Sequence, residues 1–91
     1  MKTFVCSFCR GGLIGGALYL DGQALTYKTN KLTVSPQYRN LVMPLGQIRE
    51  ISWKQILLPV MTVHMKNKEA YTFLMFQKAG FEKWFQEYAA K

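Results

Sequence analysis

The sequence predicts a mainly β fold: an antiparallel barrel or sandwich of six or seven short strands, closed by one C-terminal helix. Three observations predict it. Runs that alternate apolar and polar residues recur every ~8–12 residues, with turn signals between them. Near the C-terminus the apolar period changes from two to the 3.6 of a helix. The 91 residues are 49% hydrophobic and 19% charged, enough apolar mass for one core and too few residues for a second domain.

Residues 4–10 read as a first strand running into Gly11, Gly12, Gly15 and Gly16, a flexible turn before the second strand. This glycine segment lacks the Lys-Ser/Thr of a phosphate-cradling P-loop, and no helix follows it. Residues 17–20 and 24–28 flank Asp21-Gly22, a hairpin signature, with Leu25 and Tyr27 on one face and Thr26 and Lys28 on the other. After a polar break at residues 29–31, residues 32–34 form a short strand ended by Ser35-Pro36. Residues 41–45 form another. Pro44 cannot donate a ladder hydrogen bond, so that strand belongs at an edge or Pro44 at a bulge. Residues 48–53 begin as a turn and become a strand through Ile51 and Trp53. Met61, Val63 and Met65 then alternate with Thr62, His64 and Lys66. Asn67-Lys68 turns the chain into a strand with Tyr71, Phe73 and Met75 on one face. Phe81, Trp84, Phe85 and Tyr88 fall at i, i+3, i+4 and i+7, one stripe of a helix over about residues 79–90. Burying a large apolar side chain is worth ~1.5–3 kcal/mol, so this stripe must dock, and an open end of the curled sheet is the nearest surface.

Twelve Lys and Arg against five Asp and Glu give a net charge of +7, and residues 22–49 hold Lys28, Lys31, Arg39 and Arg49 with no acid. Such a surplus attracts phosphates, anionic headgroups or acidic protein surfaces. No run of ~18 apolar residues could span a membrane. Arg10 and the glycines interrupt the apolar start of the chain, so no secretory leader is expected and the expected location is cytoplasmic, peripheral to a membrane where lipid is the partner.

Residues 16–29, from Gly16 through Leu18-Tyr19-Leu20 to Leu25 and Tyr27-Lys28, resemble the opening of a GRAM domain, in the pleckstrin-homology-like superfamily. Residues 41–51 resemble that family's apolar–Pro–Leu–polar–polar–Ile signature. Residues 62–73 resemble its later hairpin, and residues 81–84 the start of its closing helix. The pieces lie in the family's order and cover about residues 8–90; Asp21 stands where the family has Thr, and Ala24 where it has Arg. The resemblance implies that residues 1–91 form one pleckstrin-homology-like bent barrel of about seven antiparallel strands, capped by the helix. It also implies a binding or docking module, as in bacterial single-domain versions, with the first loop facing the ligand.

Catalytic provision is thin: one His, one Asp and three Ser, with neither a nucleophile elbow nor paired carboxylates in the sequence. No cofactor is implied. Cys6 and Cys9 form a C-x-x-C. On a strand, residues three apart point to opposite faces, so the two thiols should not bond each other. A zinc site would have to be shared between two chains. Binding rests instead on Lys28, Lys31 and Arg39, with Lys66 and Lys68 as a second cluster. Trp53, Lys54, Leu57 and Leu58 set a cation beside aromatic and aliphatic groups, as suits a loop dipping into headgroups; the alternative is a core strand with Trp53 buried. An anionic membrane or a protein partner is therefore expected. Single-stranded nucleic acid ranks lower and would stack on Tyr19, Tyr38 or Tyr71. Residues 41–45, as an edge strand, could also pair two copies into a homodimer.

Overall fold

A computed structural model describes residues 1–32 and 34–90. The strands are β1 (Lys2–Cys9), β2 (Leu13–Leu20), β3 (Ala24–Lys28), β4 (Asn40–Pro44), β5 (Ile48–Gln55), β6 (Pro59–Met65) and β7 (Ala70–Met75). A one-turn helix, α1 (Pro36–Arg39), leads into β4, and α2 (Lys78–Ala89) follows β7. All seven strands join one sheet in the order β4-β3-β2-β1-β7-β6-β5, with every neighbouring pair antiparallel.

The expected barrel does not close. β4 and β5 remain edges, joined by a 3₁₀ turn, Leu45–Gln47. β4 has only five residues and ends on Pro44, which has no N–H to offer a further strand. Strand parity sets the core. Phe4, Cys6 and Phe8 of β1, Leu18 and Leu20 of β2, and Leu25 and Tyr27 of β3 are buried together. Met43, Met61, Val63, Met65, Phe73 and Met75 complete the inner face.

Two sequence expectations need correction. The turn between the first strands contains only Gly11 and Gly12, both at positive φ (68° and 144°), whereas Gly15 and Gly16 lie inside β2. Gly16 is there because a Cβ would come within 2.5 Å of the Lys28 carbonyl oxygen and 2.8 Å of the Tyr27 ring. A close backbone approach, not flexibility, selects that glycine. The strand expected at residues 32–34 is also displaced: Leu32 lies in a turn and Val34 in a bend, while Thr33 falls outside the described residues. The Arg39 guanidinium occupies the carbonyls that a ladder would have used, Nε donating to Val34 O and Nη2 to Leu32 O, each at 3.1 Å.

The helix docks as its stripe requires. Phe81 is buried edge-on against Phe4 (5.3 Å between centroids) and Trp53 (6.0 Å), and stacks on Phe85 at 5.7 Å. Tyr88 reaches Gly22 in the β2–β3 turn. This places α2 over the end of the sheet where β1 begins. A second ring cluster, Phe8 with Tyr27, Tyr38, Tyr71 and Phe73, fills the interior toward the end of β1.

Candidate functional site

The register gathers three connections at the end of the sheet away from α2. Cys9 pairs with Leu13, which closes the β1–β2 turn there; β3 leaves at Lys28, opposite Asn40; and β7 enters with Phe73 opposite Phe8. The β3–β4 connection is tied to β2 by Thr29 Oγ1 donating to Gly15 O (2.8 Å), next to the Tyr27 hydroxyl of β3, which donates to Ile14 O (2.6 Å). α1 then brings Tyr38 beneath Arg10, whose guanidinium lies 4.5 Å from the ring centroid. The two connections thus meet directly, and a cleft of ≈ 420 Å³ lies between them, lined by Arg10, Gly12, Ile14, Ser35 and Tyr38 among others.

The β6–β7 turn flanks this pair through Tyr71, which packs on Phe8 at 6.4 Å. Burial raises the Tyr71 phenol above its ordinary pKa, and Glu69 and Tyr38 add to the rise while Arg10 opposes it. Asn67 Oδ1 accepts from the Glu69 N–H at 2.9 Å, and Lys68 takes φ 75° to complete the turn. Lys28, Lys31, Lys66 and Lys68 are all exposed. Arg39 is different, because its fork holds the connection from inside. Arg10 was missed by sequence reading, although an exposed Arg at a strand end before Gly-Gly is a recognisable place for a rim cation. The rim therefore carries Arg10, Lys28, Lys31, Arg39, Lys66 and Lys68 with the acid Glu69, and the start of β5, beside the Lys66 turn, adds Arg49 ion-paired with Glu50. Asp21, Glu82 and Glu87 lie at the α2 end, and the Glu50 carboxylate is 3.4 Å from Arg49.

The other candidate group separates. Trp53 turns inward against Phe81, with Lys78 Nζ 5.2 Å from its ring centroid, whereas Leu57 and Leu58 project from the β5–β6 loop beside exposed Lys54. That loop and the Lys66–Lys68 turn sit at opposite ends of β6, about 20 Å apart at ~3.3 Å per residue. Cys6 is buried in the core with its thiol pushed up to about 12 by burial; Cys9 lies on the outer face, its thiol donating weakly to Ser7 O at 3.8 Å. The two thiols do not converge on one ion, and no cluster of three or more metal-ligating side chains occurs among the described residues. His64 Nε2 sits 2.9 Å from Ser52 Oγ on the open outer face of the β5–β6 pair. Both side chains are open to water there, and the pair acts as a cross-strand tie.

No family model and no curated protein matches the chain. A solved structure does. The C-terminal domain of an unknown protein from Leishmania infantum superposes with a TM-score of 0.82 at 11% identity, over 100% of this chain and 84% of that one. The fold is thereby shared, and at this identity only the fold. No helix among the described residues is long and apolar enough to cross a membrane.

Proposed function

We propose that the chain is a non-catalytic docking module, of the GRAM-like kind its sequence resembles, whose basic rim binds an anionic membrane surface. One observation carries this reading: three connections distant in sequence, together with the start of β5, bring seven cations against two acids, Glu50 and Glu69, to the end opposite the helix. The Coulomb attraction of each Lys or Arg held near an anionic bilayer is worth about 1 kcal/mol and weakens with salt. Flotation with neutral vesicles and with vesicles rich in acidic lipid tests it. Binding should require acidic lipid, and Lys28→Ala with Lys31→Ala should weaken it roughly 10–30-fold. Equal behaviour on both vesicle types would remove the membrane reading.

A second reading, single-stranded nucleic acid, is favoured by the placing of Arg10 over Tyr38 and of Lys28 Nζ 5.4 Å from the Tyr19 ring centroid. Bases stack on such rings where a cation tracks the backbone. Oligonucleotide binding that disappears when Tyr19 and Tyr38 are changed together would support it over the membrane.

A further inference from the structure

The outer face of the sheet carries an apolar surface that the basic rim does not use. Val60 pairs with Leu74, and Ser7 pairs with the same Leu74 from the other side. Leu58 and Phe76 lie just beyond the ends of β6 and β7, where the same alternation carried two residues further puts them on the outer side with Val5, and Ile56, Leu57 and Leu58 line one apolar hollow with Val60 and Leu74. Ile56 and Leu57 extend this surface at the β5–β6 tip. Exposure is 93% at Leu57, 67% at Ile56, 62% at Val5 and 51% at Phe76. With Leu58, this equals about three fully exposed large apolar side chains, on the order of 500 Å². It is bounded by polar groups, Thr62 hydrogen-bonded to Thr72 on one side and Lys54 on another.

We infer that this face is the contact between two copies of the chain in a symmetric dimer. The surface is a neutral row on an antiparallel sheet, the shape that packs face to face on its own two-fold copy. In that arrangement the Leu57 tip of one copy lies on the Phe76–Val5 row of the other. Complete burial of both patches would remove on the order of 1,000 Å² together, the lower bound for a specific interface, so the dimer is weak and concentration-dependent. The nearest cation, Lys54, stands exposed at the border of the patch opposite Val60, where its ammonium can stay in water, and the Lys66–Lys68 turn lies about 20 Å away along β6, more than twice the ~8 Å screening length at physiological salt. β4 is a poorer route to a dimer, because it offers five residues and ends on Pro44.

The experiment is mass in solution, by sedimentation or light scattering, over a concentration series reaching about 1 mM. The mean mass should climb toward twice the monomer, and raising the salt should leave the midpoint unchanged or tighten it, as befits apolar contact between like-charged molecules. Leu57→Asp and, separately, Phe76→Ser should move the midpoint at least about tenfold toward higher concentration. Both side chains point outward, so unchanged far-UV circular dichroism and melting verify the fold of each variant. Lys66→Glu with Lys68→Glu should leave the dimer intact, which separates this inference from the fate of the rim. A monomer throughout the series would overturn it, as would a dimer that neither apolar variant weakens. So would a monomeric protein whose vesicle flotation is lost in Leu57→Asp, since the bilayer would then be the occupant.

Discussion

Gly16 and Cys6 show how much one position can be asked to do. Gly16→Ala must push a methyl group into the Lys28 carbonyl and the Tyr27 ring, so β2 and β3 would have to separate. A loss of ~1–3 kcal/mol is expected in denaturant melts, whereas Gly15→Ala, with open space around it, should be near neutral. Cys6 tests burial through chemistry. Its thiol, raised from 9.0 to about 12, keeps its proton in the fold, so Cys6 should react with a thiol reagent at mildly alkaline pH only after unfolding; half-buried Cys9 should react first. For stability the sign is unfavourable at high pH. The unfolded thiol loses its proton above about 9 while the folded one does not, so this contribution falls as pH rises through that window. In Cys6→Ala the melting temperature should therefore depend less on pH there. The spacing of the two cysteines was enough to separate their faces, because strand parity is local. The spacing of the glycines was not, because a close approach between β2 and β3 is a tertiary event that sequence cannot display.

Elements were legible where periodicity and turn chemistry agreed. The Asp21 hairpin formed as expected, with Asp21 Oδ1 accepting from the N–H groups of Gln23 and Ala24 at 2.8 and 2.9 Å. Pro44 placed β4 at an edge. The closing helix, expected over residues 79–90, runs over Lys78–Ala89 with its aromatic stripe inward. The connection between β3 and β4 was illegible because a side-chain tie, Arg39 back onto the carbonyls of Leu32 and Val34 seven and five residues earlier, competes with strand pairing and leaves no mark in the apolar period. At this scale the plug is the main test. Phe81→Ala removes a ring held between Phe4, Trp53 and Phe85 and should cost ~3–5 kcal/mol, seen as a large drop in the urea midpoint. Tyr88→Ala, on a half-buried ring at the end of the same stripe, should cost distinctly less.

For the molecule as a whole, cation identity divides into two roles that composition alone could not separate. Lys28 and Lys31 are exposed at the rim, Lys28 touching only the face of the exposed-side Tyr19 ring, and changing them should reduce anionic binding with little effect on the melting temperature. Arg39 is also a brace. Arg39→Ala should lower the melting temperature by roughly 4–8 °C, the equivalent of ~1 kcal/mol in a domain this size, in addition to any loss of binding. The net charge of +7 was visible from the start. Its gathering at one end, and the separation of Leu57 from the lysine turn, depend on which strand lies beside which. That order includes the β1–β7 pair, whose members are more than sixty residues apart in the chain.

The open sheet leaves two strand margins exposed, and each carries its own protection against indefinite growth. β5 has a register irregularity between Ile48 and Glu50 and presents Arg49, Glu50 and Lys54 to solvent. β4 is short and terminates on an imino acid. Margins blunted in this way do not template cross-β stacking. Concentrated solutions of this protein should accordingly remain clear and free of thioflavin-binding fibrils, while replacing Arg49, Glu50 and Lys54 together with valine should turn the same molecule into a polymer.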